Sequence, residues 1–98
     1  MMVIVTAQIL ISTDDCHSLK EKRQILLKLK DHLKQKFNVS VAEIDFQNSH
    51  HQALIAVVLV ANEAKFANSM MSKVMNYVEN SFPGRVIDYT IDLDSRGS

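Results

Sequence analysis

The segment at residues 18–37, SLKEKRQILLKLKDHLKQKF, decides how the rest of this chain is organised. Ser18 stands three residues before Glu21, which is the spacing of a capping box at the start of a helix. The apolar residues that follow recur every three or four positions and so share one helical face. They are Leu19, Leu26, Leu29, Leu33 and Phe37, with Ile25 at the margin. The segment predicts an amphipathic helix that is closed near Asn38 by a residue in the left-handed conformation.

This predicted helix is strongly basic. It carries seven Lys or Arg residues against two acidic ones, although the whole chain is neutral. Most of these basic residues lie on one flank of the helical wheel, around Leu27, or close to the helix start. They are Lys20, Arg23, Lys30 and Lys34 on the flank, with Lys22 and His17 near the start. Such a stripe has two interpretations. It is either a solvated face, on which the aliphatic parts of the Lys and Arg side chains cover the edge of the core, or a surface that contacts the phosphate backbone of RNA.

Length and composition restrict the class of protein. The chain has 98 residues, which predicts a single domain over residues 1–98 with an ordered core at about 2–94. Its zero net charge removes any global argument for binding nucleic acid or a membrane surface and leaves only the local asymmetry of charge, so neither DNA nor a membrane is predicted as a partner. The single cysteine, Cys16, cannot form an internal disulfide, which fits a reducing compartment. No apolar run approaches the ~20 residues of a membrane span, so we expect a cytoplasmic protein.

Four segments rich in apolar and β-branched residues predict strands. They are residues 2–11, 39–46, 53–61 and 86–93. The first and third are almost wholly apolar, as central strands are, whereas the second and fourth alternate, as edge strands do. In the alternating strands we expect Ala42, Ile44 and Phe46, and then Ile87, Tyr89, Ile91 and Leu93, to face the core. The tail at residues 95–98 is expected to be loose.

A second helix is predicted after residue 61. Asn62 is its expected N-cap, and Glu63 in the first turn favours the positive end of the helix dipole. Its buried face should carry Phe66, Met70, Val74, Tyr77 and Val78. Pro83 and Gly84 end it.

The resulting order, β-α-β-β-α-β, predicts an α+β, ferredoxin-like domain: a four-stranded antiparallel sheet with two helices on one face. The uncovered face would hold an apolar centre from the first and third strands, including Ile4 and Leu10. Its edges would carry Glu43, Asp45, Asp88, Thr90 and Asp92. An apolar strip flanked by acids favours a homo-oligomer packed through that face. The alternatives are a monomer whose third strand is apolar only because Val and Ala are common residues, and an interaction module whose sheet recruits a different chain. The central strands carry no aromatic or basic residue, so this is not the base-stacking sheet of an RNA recognition motif.

Three loops should meet at one end of the domain. They would gather Asp14, Asp15, Cys16, His17, His50, His51 and Arg85. The backbone at His17, Ser18 and Lys20 could hold a small anion, although Asp14 and Asp15 oppose it. Cys16, His17 and the pair His50-His51 are potential metal ligands, but their spacing matches no metal motif. A polar loop cluster without a ligand is the third interpretation, and the sequence predicts neither a cofactor nor catalytic residues.

Three stretches resemble the YlxP-like family of small bacterial proteins of unassigned function. They are residues 17–23 (HSLKEKR), residues 37–43 (FNVSVAE) and the apolar strand that opens at Gln52-Ala53. The resemblance implies a ferredoxin-like fold and self-association, and it brings no catalytic residues. Relatives are often encoded beside genes for translation initiation and ribosome maturation. We therefore expect a binding protein that contacts ribosomal RNA or a ribosome-associated protein through the basic helix.

Overall fold

A computed structural model describes residues 1–97 of the chain. The elements follow in the order β1 (Met2–Ser12), α1 (Leu19–Lys36), β2 (Ser40–Asp45), β3 (Gln52–Ala61), α2 (Ala64–Ser81) and β4 (Val86–Arg96). The strands form one antiparallel sheet in the order β2-β3-β1-β4. Both helices pack on one face of this sheet. The predicted α+β, ferredoxin-like architecture is confirmed.

The core lies between this sheet face and the helices. Alternate residues of β1 and β3 are buried there, from Val3 to Ile11 and from Ala53 to Leu59. Leu26, Leu29 and Leu33 of α1 pack on them, as predicted. Because the two central strands bury one face and leave the other uncovered, their continuous apolar sequences supply two apolar surfaces.

Both helix caps differ from prediction in one respect each. Ser18 caps α1 by accepting a hydrogen bond from the Glu21 backbone N–H, as expected. At the other end Phe37 is the C-cap in an extended conformation, so the predicted left-handed residue near Asn38 is wrong. In α2 the N-cap is Glu63 rather than Asn62, and its side chain makes no capping bond.

The buried face of α2 is also rotated from the predicted one. It consists of Ala67, Met71, Val74, Met75 and Val78. Met70 and Tyr77 are only half-buried, and Phe66 is 56% exposed. The apolar residues of α2 span about half of its circumference, so their spacing alone did not decide which part faces the sheet.

The end of the chain is more ordered than predicted. β4 continues to Arg96, so Ser95 and Arg96 belong to the strand instead of a loose tail, while Ser98 lies outside the described residues. β4 begins after a tight turn at Phe82-Pro83-Gly84-Arg85, in which Gly84 takes a φ of 77° and the Arg85 N–H donates to the Phe82 carbonyl. This conformation suits glycine, which explains why Gly84 occupies this position in the turn that follows α2.

Candidate functional site

The basic stripe of α1 is the first candidate site. Lys20, Arg23 and Lys34 are exposed and Lys30 is half-buried. Among residues 1–97, none of the four takes part in an ion pair. Leu27 lies between them and is 57% exposed, as its position on the wheel predicted. The flank is therefore a surface of cations free to meet an external anion.

Lys22 does not belong to this surface, which corrects its place among the predicted nucleic-acid contacts. Its side chain is only 1% exposed. The Nζ atom donates to the backbone carbonyls of Phe46, at 2.6 Å, and of Ser49, and lies 2.8 Å from Glu43 Oε2. The ammonium thus ties α1 to the end of β2 and to the β2–β3 loop, and we call this arrangement the Lys22 clamp.

The Lys22 clamp lies at a turn with an uncommon backbone conformation. Phe46 has a φ of 63°, an uncommon conformation for a residue with a side chain. Its carbonyl accepts from the Ser49 N–H at 3.0 Å as well as from Lys22. Lys22 therefore gives the Ser49 carbonyl a donor, and the Phe46 carbonyl a second one, within a tight and partly buried turn.

The clamp also corrects the predicted orientation of β2. Val41 pairs with Val57 and Glu43 pairs with Ile55, and both β3 residues are buried under the helices. Val41 and Glu43 therefore face the helices, and Ile44 is 44% exposed. Glu43 is not on the open face, where we had expected it.

The predicted loop cluster does form at one end of the domain. The Thr13 hydroxyl donates to the His50 carbonyl at 2.9 Å, and its backbone N–H donates to the His51 carbonyl at 2.8 Å. The Arg85 guanidinium donates two bonds to the Asp15 carboxylate, at 2.7 and 2.8 Å. This ion pair holds the pKa of Asp15 below its usual value of 3.8 and raises the pKa of Arg85.

Most of the polar groups in this cluster satisfy one another. His51 Nδ1 lies 2.8 Å from Asp14 Oδ1. The ring centroids of His50 and His51 lie 4.1 Å apart, with the two ring planes tilted by 36°. Within residues 1–97, no three His, Cys, Asp or Glu side chains are grouped closely enough to hold a metal ion. Cys16 is buried, and burial raises the pKa of its thiol, which favours the unreactive protonated form.

At the predicted anion site of His17, Ser18 and Lys20, the chain supplies its own acceptors. Glu21 Oε2 accepts from the His17 N–H at 2.9 Å, and Ser18 Oγ accepts from the Glu21 N–H at 3.2 Å. A carboxylate is thus already bound at the start of α1. An external anion would have to compete with it.

The open face of the sheet is the second candidate site. Four pairs of β1 and β3 residues form a strip along its centre: Ile4 with Val60, Thr6 with Val58, Gln8 with Ala56 and Leu10 with Leu54. Its side chains are half-buried or exposed, and Val60 is 63% exposed. β4 lines one border with Asp88, Asp92 and Asp94, which pair with Leu10, Thr6 and Ile4. The apolar strip with an acidic border is present as predicted on that side.

The fold places the chain among small two-layer α+β proteins. It superposes on the de novo designed protein Foldit4 with a TM-score of 0.63 at 9% identity, covering 99% of this chain and 100% of the other. A de novo designed protein with a ferredoxin fold, LFR1 1, gives 0.51 at 10% identity over 100% and 88% of the two chains. SnoaB, a cofactor-independent oxygenase from Streptomyces nogalater, gives 0.50 at 4% identity over 99% and 94%. At these identities the likeness shows the fold alone.

Sequence comparison identifies the family. The model of a family described as "Protein of unknown function (DUF503)" matches residues 4–91, and the chain belongs to this family. The Bacillus subtilis (strain 168) "Uncharacterized protein YlxP" is 30% identical over 69 residues, which cover 70% of this chain and 74% of that protein. The predicted YlxP-like resemblance is confirmed. In the described part of the chain, no helix is long and apolar enough to cross a membrane.

Proposed function

We propose that this chain is a non-enzymatic, self-associating binding protein of the bacterial cytoplasm that contacts ribosomal RNA through α1. The observation that carries the proposal is the stripe of Lys20, Arg23, Lys30 and Lys34, which lies on one flank of a single helix. None of these cations is neutralised by an ion pair within residues 1–97. A helix face that only meets solvent does not require four positive charges in one stripe. The phosphates of an RNA backbone, by contrast, are neutralised by such a stripe.

The distribution of charge supports a helix-led contact. The segment at residues 18–37 has a surplus of five positive charges in a chain that is neutral overall. The acids of the open face lie on the side of the sheet away from the helices. The chain can therefore present α1 to a polyanion while its acidic border points elsewhere. The stripe is roughly 21 Å long at about 1.5 Å per residue, which matches several successive phosphates.

The test is co-sedimentation with purified ribosomal subunits and binding to purified ribosomal RNA across a salt series. About four phosphate contacts predict that the logarithm of the binding constant falls with a slope of roughly −3 against the logarithm of salt concentration. Replacing Lys20, Arg23, Lys30 and Lys34 together by Gln should abolish binding. The stability of that variant should be unchanged, because these side chains make no ion pair in the described part of the chain.

A matched control separates the stripe from net charge. Lys28, Lys36, Lys65 and Lys73 provide four cations outside the stripe, so their replacement by Gln removes the same charge. This variant should retain most of the affinity. Equal affinity of the stripe variant and the unmodified chain, or equal loss in both variants, would contradict a contact through the stripe.

The self-association in this proposal uses the open face. The strip along the two central strands is half-buried or exposed, and it is apolar except at Thr6 and Gln8. It is most simply buried against a second copy by a two-fold axis. Sedimentation equilibrium should then give twice the chain mass of 11.1 kDa. Val58→Lys should give the single chain, while Leu27→Lys, a similar change on exposed α1, should leave the dimer intact. A single-chain mass for the unmodified protein would contradict the proposal.

The alternative, a small-anion or metal-binding protein that uses His17 and His50-His51, has less support. Glu21 already binds the backbone at His17, and Asp14 and Asp15 are held by His51 and Arg85. Native mass spectrometry of gently purified protein would reveal a bound ion or anion. Its presence at a stoichiometric level would favour this alternative over the RNA contact.

A further inference from the structure

Within residues 1–97, β4 is a long edge of the sheet with no neighbouring strand on its outer side. It pairs with β1 alone and runs over 11 residues. Every residue of the strand after Val86 is exposed, and its register shift is confined to its start. Such an edge presents unpaired N–H and C=O groups to an added strand. Proteins commonly protect an edge with Lys or Pro, and β4 contains neither.

One side of this edge is apolar and uncovered. Tyr89, Ile91 and Leu93 pair with residues of β1 that are buried under the helices, so they lie on the helix side of the sheet. They are nevertheless 46%, 39% and 39% exposed. The helices therefore cover the neighbouring strand but leave the apolar side of β4 partly open.

The apolar side continues into a groove between the end of α2 and the start of β4. Phe82, Val86 and Tyr89 are among the apolar residues that line it, and Glu79 is the acidic residue that α2 contributes. An apolar side chain beside a cationic one would fit this lining. The groove thus extends the same chemistry beyond the first residues of the strand.

The other side of the edge is acidic. Asp88, Asp92 and Asp94 project on the open side of the sheet, because they pair with Leu10, Thr6 and Ile4. Arg96 is the single basic residue of the strand, and it pairs with Asp94 at 3.2 Å. The strand therefore alternates between apolar and acidic along its length.

This charge pattern disfavours a second copy at the same edge. Antiparallel pairing of two β4 strands centred on Thr90 sets Asp88 against Asp92, and pairing centred on Ile91 sets Asp88 against Asp94. Pairing centred on Asp92 sets that residue against itself. Like charges directly opposite each other destabilise a strand pair. A basic strand would meet attraction at the same positions.

We propose that the β4 edge binds an extended, basic segment of a partner protein as an added strand. Alternate apolar side chains of that segment would cover Tyr89, Ile91 and Leu93, and its Lys or Arg side chains would face the aspartates. In binding of this kind, main-chain hydrogen bonds supply affinity and alternate side chains supply specificity. The site lies on a different part of the molecule from the α1 stripe, so it does not depend on RNA binding.

The test uses a fluorescent ten-residue peptide of alternating Lys and Val, titrated with the full chain at low salt. Amide chemical shifts should change along β4 from Ile87 to Leu93. A peptide of alternating Glu and Val should bind at least tenfold more weakly. A Lys-Val peptide N-methylated at alternate residues keeps its charge but loses the donors of an added strand, and it should also bind at least tenfold more weakly.

Charge-reversed variants complete the test. Asp88→Lys combined with Asp92→Lys should reverse the preference, so that the Glu-Val peptide binds more tightly than the Lys-Val peptide. The control, Asp31→Lys with Glu63→Lys, makes the same change in charge away from β4 and should keep the original preference. Equal binding of all peptides, shift changes confined to other elements, or concentration-dependent shifts along β4 that persist in the single-chain variant Val58→Lys would overturn the proposal.

Discussion

The two edge strands of the sheet, β2 and β4, differ in length, in exposure and in what their side chains contact. β2 is six residues long, has a register shift before Asp45 and ends at the Lys22 clamp. β4 is 11 residues long, and ten of its residues are exposed. β2 turns Val41 and Glu43 toward α1, whereas β4 turns apolar residues toward a side that the helices cover only in part.

This difference shows that an alternating sequence does not determine how an edge strand is used. Both strands alternate between apolar and acidic residues. At β2 the acidic residue Glu43 lies on the covered side because Lys22 neutralises it there. At β4 no cation of the helices meets the acids, which lie on the open side. The buried ion pair of Lys22 and Glu43 holds the β2 edge in place, whereas the β4 edge is exposed to contacts with another molecule.

The largest effect is expected when the Lys22 clamp, which holds the β2 edge, is removed. Lys22→Met should lower the free energy of unfolding by about 3 kcal/mol, because it leaves a mostly buried carboxylate without its partner. The carbonyls of Phe46 and Ser49 would lose a donor at the same time. Urea denaturation followed by circular dichroism measures this loss.

Two controls define the cause. Lys20→Met removes a similar side chain from the exposed flank and should change stability by less than about 0.5 kcal/mol. Adding Glu43→Leu to Lys22→Met removes both charges and should restore part of the loss. If Lys20→Met and Lys22→Met were equally costly, the clamp would not be a stabilising feature.

A smaller effect on stability is expected when one apolar residue of each edge strand is replaced by Thr. Val41→Thr places a hydroxyl among buried apolar groups on β2 and should cost about 1–2 kcal/mol. Ile91→Thr keeps the β-branched shape on exposed β4 and should cost about 0.5 kcal/mol. Urea denaturation of both variants gives the comparison. An equal loss at Ile91 would contradict an uncovered apolar side on β4.

The sequence predicted most of the architecture because its strongest signals are local. The order of elements, the Ser18 cap, the Leu26 to Leu33 face and the Pro83-Gly84 turn all follow from spacing or backbone preference. The meeting of three loops at one end then follows from the topology. No long-range information was needed for any of these features.

Residue type and position make opposite predictions for Lys22, because lysine side chains are usually exposed. Lys22 lies four residues before Leu26 and seven before Leu29, so it shares their buried face. That spacing was visible in the sequence. An acid on a neighbouring predicted strand, Glu43, was the second available signal. Together they would have indicated a buried pair and the correct orientation of β2.

Two other features could not be read from patterns. The apolar residues of α2 are spread widely enough that Phe66 could have faced the core or solvent with similar periodicity. The exposure of Tyr89, Ile91 and Leu93 depends on how two helices lie across four strands, which element order does not fix. These are matters of packing between distant segments.

The smallest expected effect concerns the loop end that joins the start of α1 to the start of β4. The Arg85 guanidinium lowers the pKa of Asp15 below its usual 3.8. A carboxyl whose pKa is lower in the folded than in the unfolded chain stabilises the fold above its unfolded pKa. That contribution is lost as the pH falls through the folded pKa. Asp15→Asn should therefore lower the urea midpoint slightly at about pH 6, and the difference from the unmodified chain should shrink toward about pH 3. A difference that did not change with pH would show that the ion pair with Arg85 is not its origin.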